Sequence, residues 1–74
     1  MTLMDVREGT AARVVGVKDG ASKRRLLDFG FTPGTIVTVN NAAPFGGTVS
    51  VGLRGYTVAV RATAARAVEV IPCM

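Results

Sequence analysis

Few residues in this chain could carry chemistry. Its 74 residues include no histidine, one cysteine and five carboxylates, and the formal net charge is +4. Histidine is the usual general base near neutral pH, and no two of the carboxylates form an obvious pair. We therefore expect the protein not to be an enzyme. The residues that stand out are three adjacent cations, Lys23, Arg24 and Arg25.

A metal site is not expected either. A closed transition-metal site needs three or four nitrogen, sulfur or carboxylate ligands in register. The chain offers Cys73, Met74 and dispersed carboxylates, so we predict no metal ligands and no cofactor. The simplest interpretation of Cys73 is a loose terminal thiol, and a weak site shared between chains stays open.

The composition indicates one small domain that spans residues 1–74. Hydrophobic residues make up 49% of the chain, which is enough for one core and too many for a disordered segment. No apolar run approaches the roughly 20 residues of a membrane span. The first residues lack the basic and then apolar pattern of a signal peptide. We expect a soluble cytoplasmic protein.

Residues 23–34, KRRLLDFGFTPG, predict one short helix followed by a turn. Ser22 can cap the start of the helix with its hydroxyl. Leu26 and Phe29, three positions apart, share an inward face, and Gly30 suits the left-handed residue that ends a helix. A helix of about two turns is stable only when it packs on other elements.

The remainder of the chain predicts short strands. They cover residues 11–18, 35–40, 48–53, 56–61 and 67–71. Gly16 indicates a bulge or a tight bend in the first strand, and Thr63 can cap a single helical turn before the last one. A short sheet has exposed edges, and closing it into a barrel removes most of them. We expect a mainly β fold, a small SH3-like barrel of about five strands with one short α-helix and a helical turn.

The third and fourth strands form the clearest predicted hairpin. Arg54-Gly55 joins them as a two-residue link, with glycine where a type I′ turn requires it. In the fourth strand the alternation predicts Tyr56, Val58 and Val60 on the inward face. Tyr56 is therefore expected in the core.

Several motifs follow one another in a fixed order along nearly the whole chain. They are Leu3 and Gly9, the segment 25–34 (RLLDFGFTPG), the loop 43–46 (APFG), Arg54-Gly55, Arg61 and Ala65. In this order and spacing they resemble the FeoA family, small proteins of bacterial ferrous iron transport. The chain departs from the family's usual loop at Gly47, where an acidic residue is common, and at Thr48, where proline is common.

The resemblance implies an SH3-like barrel in the cytoplasm and a partner, the membrane iron transporter FeoB, whose cytosolic portion is a GTP-binding domain. The predicted function is that of a non-enzymatic accessory protein that binds and modulates this transporter. It would contact the membrane only through the transporter. Weak homo-oligomerisation stays open.

The predicted contact surface for this partner centres on the basic cluster. Cations beside exposed apolar side chains are typical of a small interface, and cations alone are equally typical of an ordinary solvated helix face. Leu27 points about 100° away from Leu26 on a helix, so we expect it to be partly exposed. The candidate partner-binding residues are Lys23, Arg24, Arg25, Leu27 and Phe31, with Phe45 as a secondary point.

Two other functions compete with this one. The first is a metal-responsive regulatory module, similar to the SH3-like C-terminal domain of iron-dependent repressors, which normally follows a DNA-binding portion. The second is an RNA-binding barrel, which the sequence pI of about 10.3 would suit. Proteins that read single strands interleave cations with exposed aromatic residues, and this chain has only one tyrosine and three phenylalanines. No nucleic-acid partner is therefore expected.

Overall fold

The computed structural model describes residues 1–41 and 47–73. Its strands are β1 (Ala11–Val17), β2 (Ile36–Asn41), β3 (Thr48–Leu53), β4 (Tyr56–Arg61) and β5 (Val68–Pro72). Its helices are α1 (Lys23–Phe29) and α2 (Ala62–Ala65), and a 3-10 turn, Leu3–Asp5, precedes β1. The predicted mainly β fold with five strands, one short helix and a helical turn is confirmed. Within the described ranges, no helix is long and apolar enough to cross a membrane.

The five strands form one antiparallel sheet in the order β4-β3-β2-β1-β5. The first four strands are therefore neighbours in chain order, and β5 returns to pair with β1. Every strand contributes buried residues to the same core cluster. A sheet that shares one core along its whole width has to curve around it, which is the SH3-like arrangement.

Two register shifts help short strands to curve. The pairing of β1 with β5 shifts between Val14 and Gly16, which confirms the predicted bulge at Gly16. The pairing of β2 with β3 shifts between Val39 and Asn41. A bulge bends its strand and increases the local twist.

The helical turn α2 begins earlier than predicted. Arg61 stands at its cap position and Ala62 is its first residue, so Thr63 lies inside the turn and does not cap it. Ala65 is fully buried, and the N–H of Ala62 donates to the carbonyl of Gly47 at 2.6 Å. These contacts pack α2 against the end of the β3–β4 hairpin.

The hairpin itself confirms one prediction and corrects another. Arg54 and Gly55 have φ of 50° and 85°, as a type I′ turn requires. Val60 is buried and Val58 is half-buried, but the predicted core position of Tyr56 is wrong, since this side chain is 47% exposed. Tyr56 follows the turn directly, so its ring lies at the end of the sheet, beyond the core.

Candidate partner-binding surface

Helix α1 is short because a fixed turn ends it. Gly30 has φ of 114° and donates its N–H to the carbonyl of Leu27 at 3.0 Å. The next residue, Phe31, donates its N–H to the carbonyl of Leu26 at 3.1 Å. These two bonds form a Schellman motif, and the predicted role of Gly30 is confirmed. The C-terminal end of the helix is therefore held in one conformation.

The start of α1 differs from the prediction. Ser22 occupies the cap position, but its side chain makes no capping hydrogen bond. Its φ of −93° and ψ of −4° are already helical, whereas a capping hydroxyl reaches the first amides from an extended backbone. Ser22 contributes its carbonyl instead, which accepts the N–H of Leu26 at 2.9 Å.

The turn after α1 also buries one of the predicted contact residues. The ring of Phe31 is fully buried in the core, with 0% of its surface exposed. The Schellman motif folds the chain back under the helix, and an apolar residue at this position packs inward. The assignment of Phe31 to the contact surface is corrected, because a fully buried ring offers nothing to a partner.

One face of α1 retains three of the predicted residues. Lys23, Arg24 and Leu27 line a shallow depression together with Gly20 and Asp28. Leu27 is half-buried, as predicted, and Arg24 is exposed. Cationic and apolar groups are therefore adjacent on this face, which is the combination that a small interface needs.

The charges on this face are partly compensated. The ammonium of Lys23 lies 2.8 Å from a carboxylate oxygen of Asp19. This hydrogen bond, together with the positive charge of Lys23, holds the pKa of the Asp19 carboxyl below its ordinary value. Asp28, four residues after Arg24, forms no ion pair with it; the pair on this face is Lys23–Asp19. Among the described residues, Arg24 is thus the cation of the depression that forms no ion pair, with Asp28 on the same face.

The third cation lies elsewhere. Successive helical residues are about 100° apart, so three neighbours cannot share one face. The guanidinium carbon of Arg25 is 5.9 Å from the centre of the Phe29 ring, and both residues border a groove of about 270 Å³ between α1 and the end of β4. Arg61 borders the same groove. Arg61 was not predicted as a site residue, because nothing local in the sequence indicates that it meets Arg25.

The other predicted positions add little to this surface. Phe45, the secondary contact point, lies outside the described residues. Cys73 is an exposed free thiol. Within residues 1–41 and 47–73, no group of three or more His, Cys, Asp or Glu residues could hold a metal ion. Of the predicted contact residues, those that lie together at the described surface are therefore Lys23, Arg24 and Leu27.

Comparisons with known proteins agree with this fold. The sequence model of the FeoA domain family matches residues 1–72 of this chain. The solution structure of a FeoA protein from Chlorobium tepidum has 28% identity and a TM-score of 0.88, over 100% of this chain and 71% of that one. A zinc-complexed FeoA from Stenotrophomonas maltophilia, described as a prokaryotic SH3 domain protein, has 33% identity and a TM-score of 0.81, over 95% and 88%. A comparison with curated protein sequences finds no significant match.

The same fold occurs inside a different class of protein. A manganese-dependent transcriptional repressor in complex with manganese has 25% identity and a TM-score of 0.89. The similarity covers 99% of this chain and 36% of the repressor. The barrel thus serves there as one part of a larger protein.

Proposed function

The chain belongs to the FeoA domain family, which is associated with ferrous iron transport, and from this premise we propose that it binds and modulates the iron transporter FeoB. It would act in the cytoplasm on the cytosolic part of the transporter and contact the membrane only through it. The description of the Stenotrophomonas maltophilia relative as a candidate activating factor of ferrous iron transport supports an accessory role. We propose no catalytic role, since the proposed contact residues are cations and an apolar side chain.

The observation that carries the proposal is the depression on α1. Arg24 is exposed beside half-buried Leu27 and forms no ion pair among the described residues. Cations of this kind accelerate encounter with an acidic surface, and the apolar neighbour supplies area that a partner can bury. Because the Schellman motif fixes the helix end, little conformational entropy is lost on docking.

Binding to the purified cytosolic domain of the transporter tests this surface. The variant Arg24→Glu with Leu27→Ser should weaken binding by about tenfold or more, since it reverses a charge and removes the apolar contact. The matched control is Arg66→Glu with Ile71→Ser, which makes the same changes at exposed positions away from α1. Both proteins are first shown to be folded by their amide NMR spectra. Equal affinities for the two variants would reject the surface.

A metal-responsive regulatory module is the second candidate. The match to the manganese-dependent repressor, at 25% identity over 99% of this chain, favours it. Calorimetric titration with Mn²⁺ and Fe²⁺ under anaerobic conditions separates the two candidates. Stoichiometric metal binding by the wild-type protein, together with no measurable binding of that protein to the transporter domain, would favour regulation by metal over transporter docking.

A further inference from the structure

The groove between α1 and β4 is separate from the depression that carries Arg24. Leu26 and Phe29 from the helix and Val60 from the strand provide its apolar lining. Its volume of about 270 Å³ is just below the roughly 300–1,000 Å³ of ordinary small-molecule sites. The groove therefore has room for one or two side chains of a longer ligand and not for a large cofactor.

The charges around the groove have one sign. Arg25 borders it from the helix and Arg61 from the strand, and none of its lining residues is a carboxylate. Both arginines are exposed, and the structure shows no ion pair to either of them from residues 1–41 and 47–73. An anionic group placed between the two guanidinium groups would be attracted by both.

Among the described residues, no strand pairs with the outer edge of β4, the strand at this groove. β4 is the outermost strand on its side of the sheet. Leu53 and Tyr56 flank the two-residue turn as a hydrogen-bonded pair, so bonded pairs recur at every second position along β4. Ala59 and Arg61 fall at the alternate positions, where backbone N–H groups point away from β3. Both residues also line the groove.

The opposite edge of the sheet is already occupied. The N–H of Val70 in β5 donates to the carbonyl of Met1 at 2.9 Å, and Thr2 forms a bridge with Glu69. The N-terminal segment of the chain thus lies along β5 as an extended partner. For β4, the backbone bonds among the described residues include no acceptor for the N–H of Ala59 or Arg61.

From these observations we propose that the groove binds an extended acidic and apolar segment of a partner protein. The segment adds to β4 as a further strand, a known mode of peptide recognition. A carboxylate of the segment lies between Arg25 and Arg61, and an apolar side chain packs on Leu26 and Phe29. A peptide fits better than a phosphate ligand, because only a peptide backbone can both donate to and accept from a strand edge.

The proposal does not depend on the transporter contact. The two surfaces lie on different sides of α1 and share none of their lining residues. A test with a small peptide probe can therefore fail while the transporter surface stands, and the reverse also holds.

The probe is the capped peptide acetyl-Val-Thr-Asp-Thr-Val-amide, in which the Val and Asp side chains share one face of a strand. It is titrated into wild-type protein and followed by amide NMR. We expect shift changes at Ala59, Arg61 and the groove-facing residues of α1. The amides of Ala59 and Arg61 should also exchange more slowly with solvent when the peptide is bound, because they gain acceptors. The same peptide with Asn in place of Asp should bind about tenfold more weakly. Equal binding of the two peptides, or shifts centred on Arg24, would overturn the proposal.

Protein variants and two further ligands complete the test. Arg61→Glu should abolish the shifts, and the control Arg24→Glu should leave them unchanged, with folding of each variant checked by its spectrum. A peptide N-methylated at both valines should not slow amide exchange, since strand addition needs those N–H groups. A short oligouridine that binds the groove more tightly than the peptide would assign the site to phosphate and reject the peptide proposal. Absence of any shift with the acidic peptide would reject it too.

Discussion

The phenolic hydroxyl of Tyr56 donates a hydrogen bond to the backbone carbonyl of Phe29. Tyr56 is the first residue of β4 and Phe29 the last residue of α1. Carbonyl groups in the last turn of a helix have no intrahelical donor, so Tyr56 satisfies a group that the helix leaves open. The bond connects the β3–β4 hairpin to the end of the helix.

Replacing Tyr56 by Phe tests this link. The change removes the hydroxyl and keeps the ring, so we expect the free energy of unfolding to fall by about 1 kcal/mol, the net value of an ordinary hydrogen bond. Urea denaturation measures the difference. The control Thr57→Val removes an exposed hydroxyl from the next residue of β4 and should change stability by less than about 0.5 kcal/mol. Equal losses in the two variants would show that the bond stabilises nothing.

Gly30 should not tolerate a side chain. Its φ is 114°, and an added Cβ would lie 3.2 Å from a methyl carbon of Leu53 and 3.3 Å from the hydroxyl oxygen of Tyr56. Left-handed backbone alone costs a residue with a Cβ about 1–2 kcal/mol, and the contact with Tyr56 threatens its hydrogen bond as well. We expect Gly30→Ala to lower the free energy of unfolding by about 2 kcal/mol. Gly20→Ala is the matched control, because a Cβ there meets nothing within 4 Å; similar losses for both would contradict the argument.

Local rules predicted the parts of the fold that depend on neighbouring residues. Gly30 and the Arg54-Gly55 turn were identified because each has a backbone requirement that glycine meets, and the bulge beside Gly16 was identified because an isolated glycine inside a strand pattern often marks one. Alternation failed at Tyr56, since the pattern has no information about where a strand leaves the core. The same limit explains why Arg61 was not predicted as a site residue. Arg61 lines the same groove as Arg25 only because α1 lies near the end of β4.

The contact residues show a second reason why the candidate site was predicted only in part from the sequence. The 100° step of a helix already implies that Lys23, Arg24 and Arg25 cannot share a face, but which face meets the sheet depends on packing. The burial of Phe31, in contrast, could have been predicted from the sequence. A residue that follows the glycine of a Schellman motif packs inward, and this rule conflicts with the expectation that Phe31 contacts a partner.

Truncation should therefore destabilise the protein strongly at Phe31 and only slightly at Leu27. Removing a buried aromatic side chain costs about 3–5 kcal/mol, which is close to the whole stability of a small domain. We expect Phe31→Ala to be largely unfolded and Phe31→Leu to be folded but less stable than wild type. Leu27→Ala should lose about 1 kcal/mol or less, since Leu27 is already partly exposed to solvent. Thermal unfolding measures all three, and a Phe31→Ala protein as stable as Leu27→Ala would place Phe31 outside the core.

The ion pair on α1 makes a pH prediction. Because Lys23 lowers the pKa of Asp19, the pair stabilises the fold above the ordinary pKa of aspartate, and this contribution is lost as the pH falls through the lowered value. Asp19 is 94% exposed, so its effect on stability should be small. An NMR titration of the Asp19 carboxyl should give a pKa below the ordinary value in wild type and close to it in Lys23→Met. The same pKa in both proteins would show that the pair is absent in solution.

Removing the carboxylate of the pair should strengthen transporter binding. In wild type Asp19 compensates Lys23, so Arg24 is the cation beside Leu27 that forms no ion pair among the described residues. Asp19→Asn frees the ammonium of Lys23 for an acidic partner, and we expect a faster association rate and a modest gain in affinity, both of which decrease at high salt. Glu69→Gln, at an exposed position on β5, changes the net charge equally and serves as the control. If both variants bind equally well, the gain comes from overall charge and Lys23 is not part of the contact surface.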